Sequence, residues 1–160
     1  MKNISKIIVL ISVVFGFASK VSAQEAKYKC MLQMSNYNGL EAYVIVSLID
    51  PKGNYEKTLY VMGPDKQWYN GLKQWKKNAA KKNENLSAVT GASIASGDRS
   101  ITTFSIDQSK INKGYKLRFE SAVEDDNYYA EDVEIPLTTE AVTTKTEGKG
   151  FIRYVKLNKV

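Results

Sequence analysis

Tyr115, Leu117 and Phe119 alternate with Lys116, Arg118 and Glu120, and this period of two is what most constrains the fold. Successive side chains of a strand point to opposite faces, so such a segment buries one face and wets the other. The same pattern sets Tyr28, Cys30, Leu32 and Met34 against Lys27, Lys29, Met31 and Gln33. Residues 41–49 (EAYVIVSLI) are apolar on both alternating faces, as expected of a central strand. Asp50-Pro51-Lys52-Gly53 is a turn signal leading into a strand over 55–61, so the pair predicts a hairpin. Further strands are expected over 101–106, 128–135 and 151–157.

One stretch breaks the period. Gly63-Pro64-Asp65 ends the third strand, and Asp65 is suited to cap a first helical turn. Trp68, Leu72, Trp75 and Ala79 then recur at helical spacing, which predicts one buried stripe whose tryptophans dock on the sheet. Lys66, Lys73, Lys76, Lys77, Lys81 and Lys82 fall on the other faces or at the C-terminal end, and the helix should fade near Asn83. Residues 87–100 (SAVTGASIASGDRS) are small and polar and read as an exposed loop. About seven strands with one amphipathic helix inserted predict a mainly β, immunoglobulin-like antiparallel β-sandwich, one domain over 24–160.

The first 23 residues read as a secretory signal peptide. Lys2 and Lys6 precede an apolar run from Ile7 to Ala18, and Val21-Ser22-Ala23 predicts cleavage before Gln24. The run is about a dozen residues, short of the roughly 20 that span a bilayer. The expected product is exported and soluble, periplasmic or extracellular, with no stable membrane insertion after cleavage. Cys30 is too far from Ala23 to carry a lipid at the new terminus. Lys2, Lys6 and Lys20 leave with the signal, and with them half of the formal charge of +6.

The chain has no histidine and a single cysteine. This excludes Ser-His-Asp and Cys-His nucleophiles, imidazole-dependent zinc sites, a four-thiolate site and an internal disulfide. No spacing singles out a carboxylate pair or a Ser-Lys dyad, so the chain reads as a non-enzyme. No nucleic-acid-binding signature accompanies the basic residues. Cys30, Met31 and Met34 invite a copper reading, but alternation places Met31 on the face opposite the other two, and Cys30 reads as a core residue. Glu120, Glu124, Asp125, Asp126, Glu131, Asp132, Glu134 and Glu140 fall in a stretch without Lys or Arg. They lack the spacing of a calcium loop and read as a solvated strand face. No metal is expected.

The most informative stretch is Ser87-Ala88-Val89-Thr90-Gly91-Ala92-Ser93. It resembles the Asp-x-x-(Ser/Thr)-Gly-Ala-(Ser/Thr) signal at which a periplasmic flavin transferase attaches FMN through a phosphodiester bond. The resemblance implies Ser93 as acceptor, with Thr90, Gly91 and Ala92 around it, and Ser87 stands where the signal begins with Asp. A hydroxyl must attack the FAD pyrophosphate, which requires Ser or Thr, and the nearly bare Gly91 and Ala92 let a second active site approach the backbone. Ala42-Tyr43-Val44, the 50–53 turn, Lys57-Thr58-Leu59, Leu72, Trp75, Gly114-Tyr115 and Phe119-Glu120-Ser121-Ala122 resemble, in order, the predicted periplasmic family called domain of unknown function 2271. That family is similar to immunoglobulin-like modules and is associated with flavin transferases and PepSY-type membrane redox proteins. It commonly has His-Gly-Gly-Tyr where this chain has Asp125-Asp126-Asn127-Tyr128. The resemblance implies an exported, flavin-associated accessory protein, a covalent FMN carrier in extracytoplasmic electron transfer. The alternative is an immunoglobulin-like interaction module with no flavin and no redox role.

Overall fold

The computed structural model describes residues 24–124 and 127–160. The expected signal segment lies outside the described residues, as do Asp125 and Asp126. Nine strands are found among the described residues: β1 Glu25–Met34, β2 Tyr43–Ile49, β3 Tyr55–Met62, β4 Thr90–Gly91, β5 Arg99–Asp107, β6 Lys116–Ala122, β7 Tyr128–Pro136, β8 Thr146–Glu147 and β9 Ile152–Lys159. They form two sheets, in the orders β5-β1-β9-β8 and β4-β3-β2-β6-β7. Only β3 and β4 pair in parallel. The seven expected strands are present, and the expected count is corrected by β4 and β8, two residues each and too short to register any period.

The sheets stack as a sandwich around one apolar layer. Cys30, Leu32 and Met34 of β1, with Val155 and Leu157 of β9, share a buried cluster with Val44, Val46 and Leu48 of β2 and Leu117 and Phe119 of β6. Burial pushes the Cys30 thiol up to about 12. Alternation sends Ile45 to the outer face of β2, where it packs with Val61 of β3, Leu72, Trp75 and Ala79. A helix thus covers that face, which explains why β2 is apolar on both sides. The β2–β3 hairpin forms as expected, its turn closed by Asp50 Oδ1 accepting from Lys52 N and Asn54 N, both at 2.8 Å.

The helix differs from its sequence pattern. Asp65 caps a 3-10 turn over Lys66–Asn70, and the α-helix, α1, spans only Lys73–Lys82 before Asn83 in the left-handed region. A 3-10 turn advances three residues per turn instead of 3.6, which shifts the stripe. Tyr69 is buried in place of Trp68, which is 41% exposed. Only Trp75 of the two tryptophans docks on the sheet. No side chain of α1's own segment caps its first turn. Instead Tyr128 Oη accepts from Gln74 N at 3.0 Å, and Glu120 Oε2 accepts from Trp75 N at 3.2 Å and from the Tyr128 hydroxyl. Two strands therefore cap the helix across space.

The acidic stretch is not simply a solvated face. Glu120 and Asp132 are buried, and Glu134 is half-buried against Lys116 and Arg118. Residues 87–100 are likewise not all loop. Ser87–Val89 form a 3-10 turn, β4 pairs with β3, and Ile94 is buried through a bridge to Ala42. Here a partner strand supplies the order that local composition does not.

Candidate functional site

The hairpin and helix described above leave a concavity on the outer face of the five-stranded sheet. Its floor is Ala122 and Val123 at the end of β6. Leu40, Glu41 and Tyr43, before and within β2, line the concavity together with Gln67, Trp68, Asn70, Gly71 and Lys73 of the 3-10 turn and the start of α1. Glu124, Asn127, Tyr128 and Ser93 complete the lining. The cleft encloses about 870 Å³, within the ~300–1,000 Å³ typical of small-molecule and cofactor sites.

The lining has local causes. Gly63 takes φ +141°, and a Cβ there would lie 2.4 Å from the Tyr43 ring. A bare backbone lets Tyr43 lie flat against the chain leaving β3. Tyr43 continues inward through edge-on contacts to Tyr69 and from Tyr69 to Trp75. Trp68, displaced from the core by the 3-10 turn, and Leu40 present apolar surface at the opening. Beneath the helix start, burial raises the Glu120 carboxyl above its ordinary range, against the hydrogen bond from Tyr128 and the Trp75 amide. Tyr128 is raised by burial and by its bond to Glu120. That pair is a cap, not a free acid and base facing the cleft.

Ser93 is held through its neighbour Ile94. Ile94 N and O exchange hydrogen bonds with Ala42 at 3.0 and 2.8 Å, an antiparallel bridge that sets 93 opposite 43 and leaves 41 on the diagonal, within reach of a long side chain. The Ser93 hydroxyl donates to the Glu41 carboxylate. The other residues of the flavin-signal stretch are not gathered around the cleft. Thr90 and Gly91 form β4, with Thr90 Oγ1 donating to Leu86 O at 2.7 Å. A Cβ on Gly91 would lie 2.3 Å from the Tyr60 hydroxyl, so the space its missing side chain leaves is used within the chain. Ala92 is exposed beside Ser93. Ser87 is exposed at the start of its 3-10 turn, its N–H donating to Asn85 Oδ1. Sequence reasoning missed Glu41, Tyr43, Trp68 and Lys73 as neighbours of this serine. The Glu41 contact spans 52 positions and leaves no local signal.

No curated protein and no solved structure matches the chain. Among the described residues no helix is long and apolar enough to cross a membrane. The sequence matches the family described as predicted periplasmic protein (DUF2271) over residues 25–154. The match covers both sheets, α1 and Ser93, and the chain therefore belongs to the DUF2271 family of predicted periplasmic proteins.

Proposed function

We propose that this is an exported accessory protein of extracytoplasmic electron transfer that carries FMN on Ser93 through a phosphodiester bond. The observation that carries the reading is that Ser93 lines a cleft that Tyr43, Trp68 and Leu40 also line. Aromatic and aliphatic walls suit a flat, largely apolar ring system, and Lys73 supplies a cation for a phosphate. The bound flavin supplies the electron chemistry, while the chain positions it and leaves it open to a partner. A flavin transferase and a PepSY-type membrane redox protein are the partners this reading calls for. Intact-mass measurement after co-expression with a flavin transferase tests it. A gain of one FMN moiety, lost in Ser93→Ala, is expected, and an unmodified mass in a competent host overturns it.

The second reading is an immunoglobulin-like interaction module without flavin. Ser87 in place of the signal's Asp favours it, as does the lysine face of α1. Among the described residues the ion pairs involve Lys110, Lys116, Arg118 and Lys145, and none uses a lysine of α1. Such a face suits an acidic partner at short range. Gain of FMN only in Ser87→Asp would decide for this reading, because it would mean that the wild-type chain is not an acceptor.

A further inference from the structure

The flavin signal opens with an acid that this chain lacks at Ser87, yet the fold brings a carboxylate to the acceptor from a different element. Glu41 lies just before β2, and its Oε2 accepts the hydrogen bond donated by Ser93. The reciprocal Ala42–Ile94 bridge sets the two residues diagonally across one antiparallel pair, and the Glu41 side chain spans that diagonal to Ser93. Within the described residues, Ser93 is the only hydrogen-bond partner of the Glu41 side chain. Both residues line the cleft, as does Lys73, and Ser87 does not.

A serine hydroxyl is a weak nucleophile until a neighbouring base takes its proton, and in phosphoryl transfer to hydroxyls that base is often a carboxylate. The Ser93–Glu41 bond satisfies the geometric part of that requirement before any partner arrives. We infer that Glu41 is the proton acceptor for modification of Ser93, so that the acceptor protein supplies part of the catalytic machinery for its own modification. The inference rests on the flavin-carrier reading and deepens it. In the step, Ser93 Oγ attacks the FMN-side phosphorus of FAD held by the transferase. The new O–P bond forms as the pyrophosphate P–O bond breaks, AMP leaves with the bridging oxygen, and the hydroxyl proton passes to Glu41. No redox change occurs. The same hydrogen bond fixes the Ser93 rotamer, leaving a lone pair of Oγ for the incoming phosphorus.

The test uses the mature exported chain purified from a host without flavin transferase, then incubated with purified transferase, FAD and magnesium. Initial rates of FMN addition are read by intact mass over a range of acceptor concentrations. Glu41→Gln keeps the shape and a hydrogen-bonding group but removes the base, and its rate should fall at least about tenfold. The loss should fall on the limiting rate while the KM for the chain as acceptor stays close to wild type, a split that a merely structural role would not produce. Glu41→Asp should recover part of the rate. Circular dichroism and melting temperature confirm that each variant is folded, and should Glu41→Gln fail to fold, the reduced limiting rate of Glu41→Asp at unchanged KM carries the comparison. A wild-type limiting rate in Glu41→Gln overturns the role of Glu41 while leaving Ser93 as the acceptor. Absence of FMN on the wild-type chain overturns the carrier reading and this inference together.

Discussion

Asp132 shows how much one side chain can organise. Its Oδ1 accepts from Lys149 N and Gly150 N at 2.9 and 2.7 Å, and its Oδ2 accepts from Ile152 N at 2.9 Å and from the Ser121 hydroxyl. A fully buried carboxylate is tolerated because its lone pairs are occupied by donors that the backbone must satisfy in any case. Asp132→Asn replaces one acceptor oxygen with an NH₂ group that faces donors. The expected loss is about 3 kcal/mol, the scale of removing charge-assisted hydrogen bonds from a buried network, and urea unfolding measures it. None of this was legible along the chain. Asp132 sits among other acids, and its partners are 11 to 20 positions away. Pattern reasoning assigns such a residue to water because local sequence does not contain the donors. Ser93 is the mirror case, since its residue type and motif marked it, while the carboxylate beside it did not stand out.

Among the elements, β1 and β6 were readable because period two repeats three or four times along each, and β2 because an apolar run on both faces marks a central strand. The hairpin was readable because Asp50 and Gly53 carry their turn chemistry with them. The helix was half readable. Asp65, Leu72, Trp75, Ala79 and Asn83 behave as their spacing implies, but the change from 3-10 to α geometry around Gly71 moves Trp68 from the core to the cleft wall. A helical stripe assumes one continuous pitch, and nothing local announces that the pitch changes. The cap of α1 makes a test at this scale. Tyr128→Phe removes the acceptor for Gln74 N and a donor to Glu120, so the first turn should fray at a cost of about 1 kcal/mol. Hydrogen exchange at Gln74 and Trp75 should speed up while exchange in β1 stays unchanged.

The molecule as a whole carries carboxylates whose responses to pH oppose one another. Burial alone would raise Glu134, but Lys116 and Arg118 outweigh it and hold its carboxyl below the ordinary value of 4.5. A carboxylate lowered on folding stabilises the folded state above its unfolded value, and that contribution disappears as pH falls through the folded one. Glu134→Gln should therefore melt below wild type at pH 7, with the gap closing at pH values below about 4 in a melting series. Glu120 has the opposite sign. Its raised carboxyl favours the folded state below its unfolded value, and the advantage is lost as pH rises through the folded one. Two sheets and mainly β content were legible at this scale because they depend on repeated patterns, and the family's description as predicted periplasmic fits the expectation of export. How the free margins of the sheets are managed was not, and Asp132 bears on that too. It belongs to β7, the edge of the five-stranded sheet, and its backbone carbonyl accepts from Lys149 N at 3.0 Å. The turn between β8 and β9 thus occupies the middle of a margin on which another chain's strand would otherwise grow. In a crowded compartment this contact works as a guard against strand-by-strand self-association.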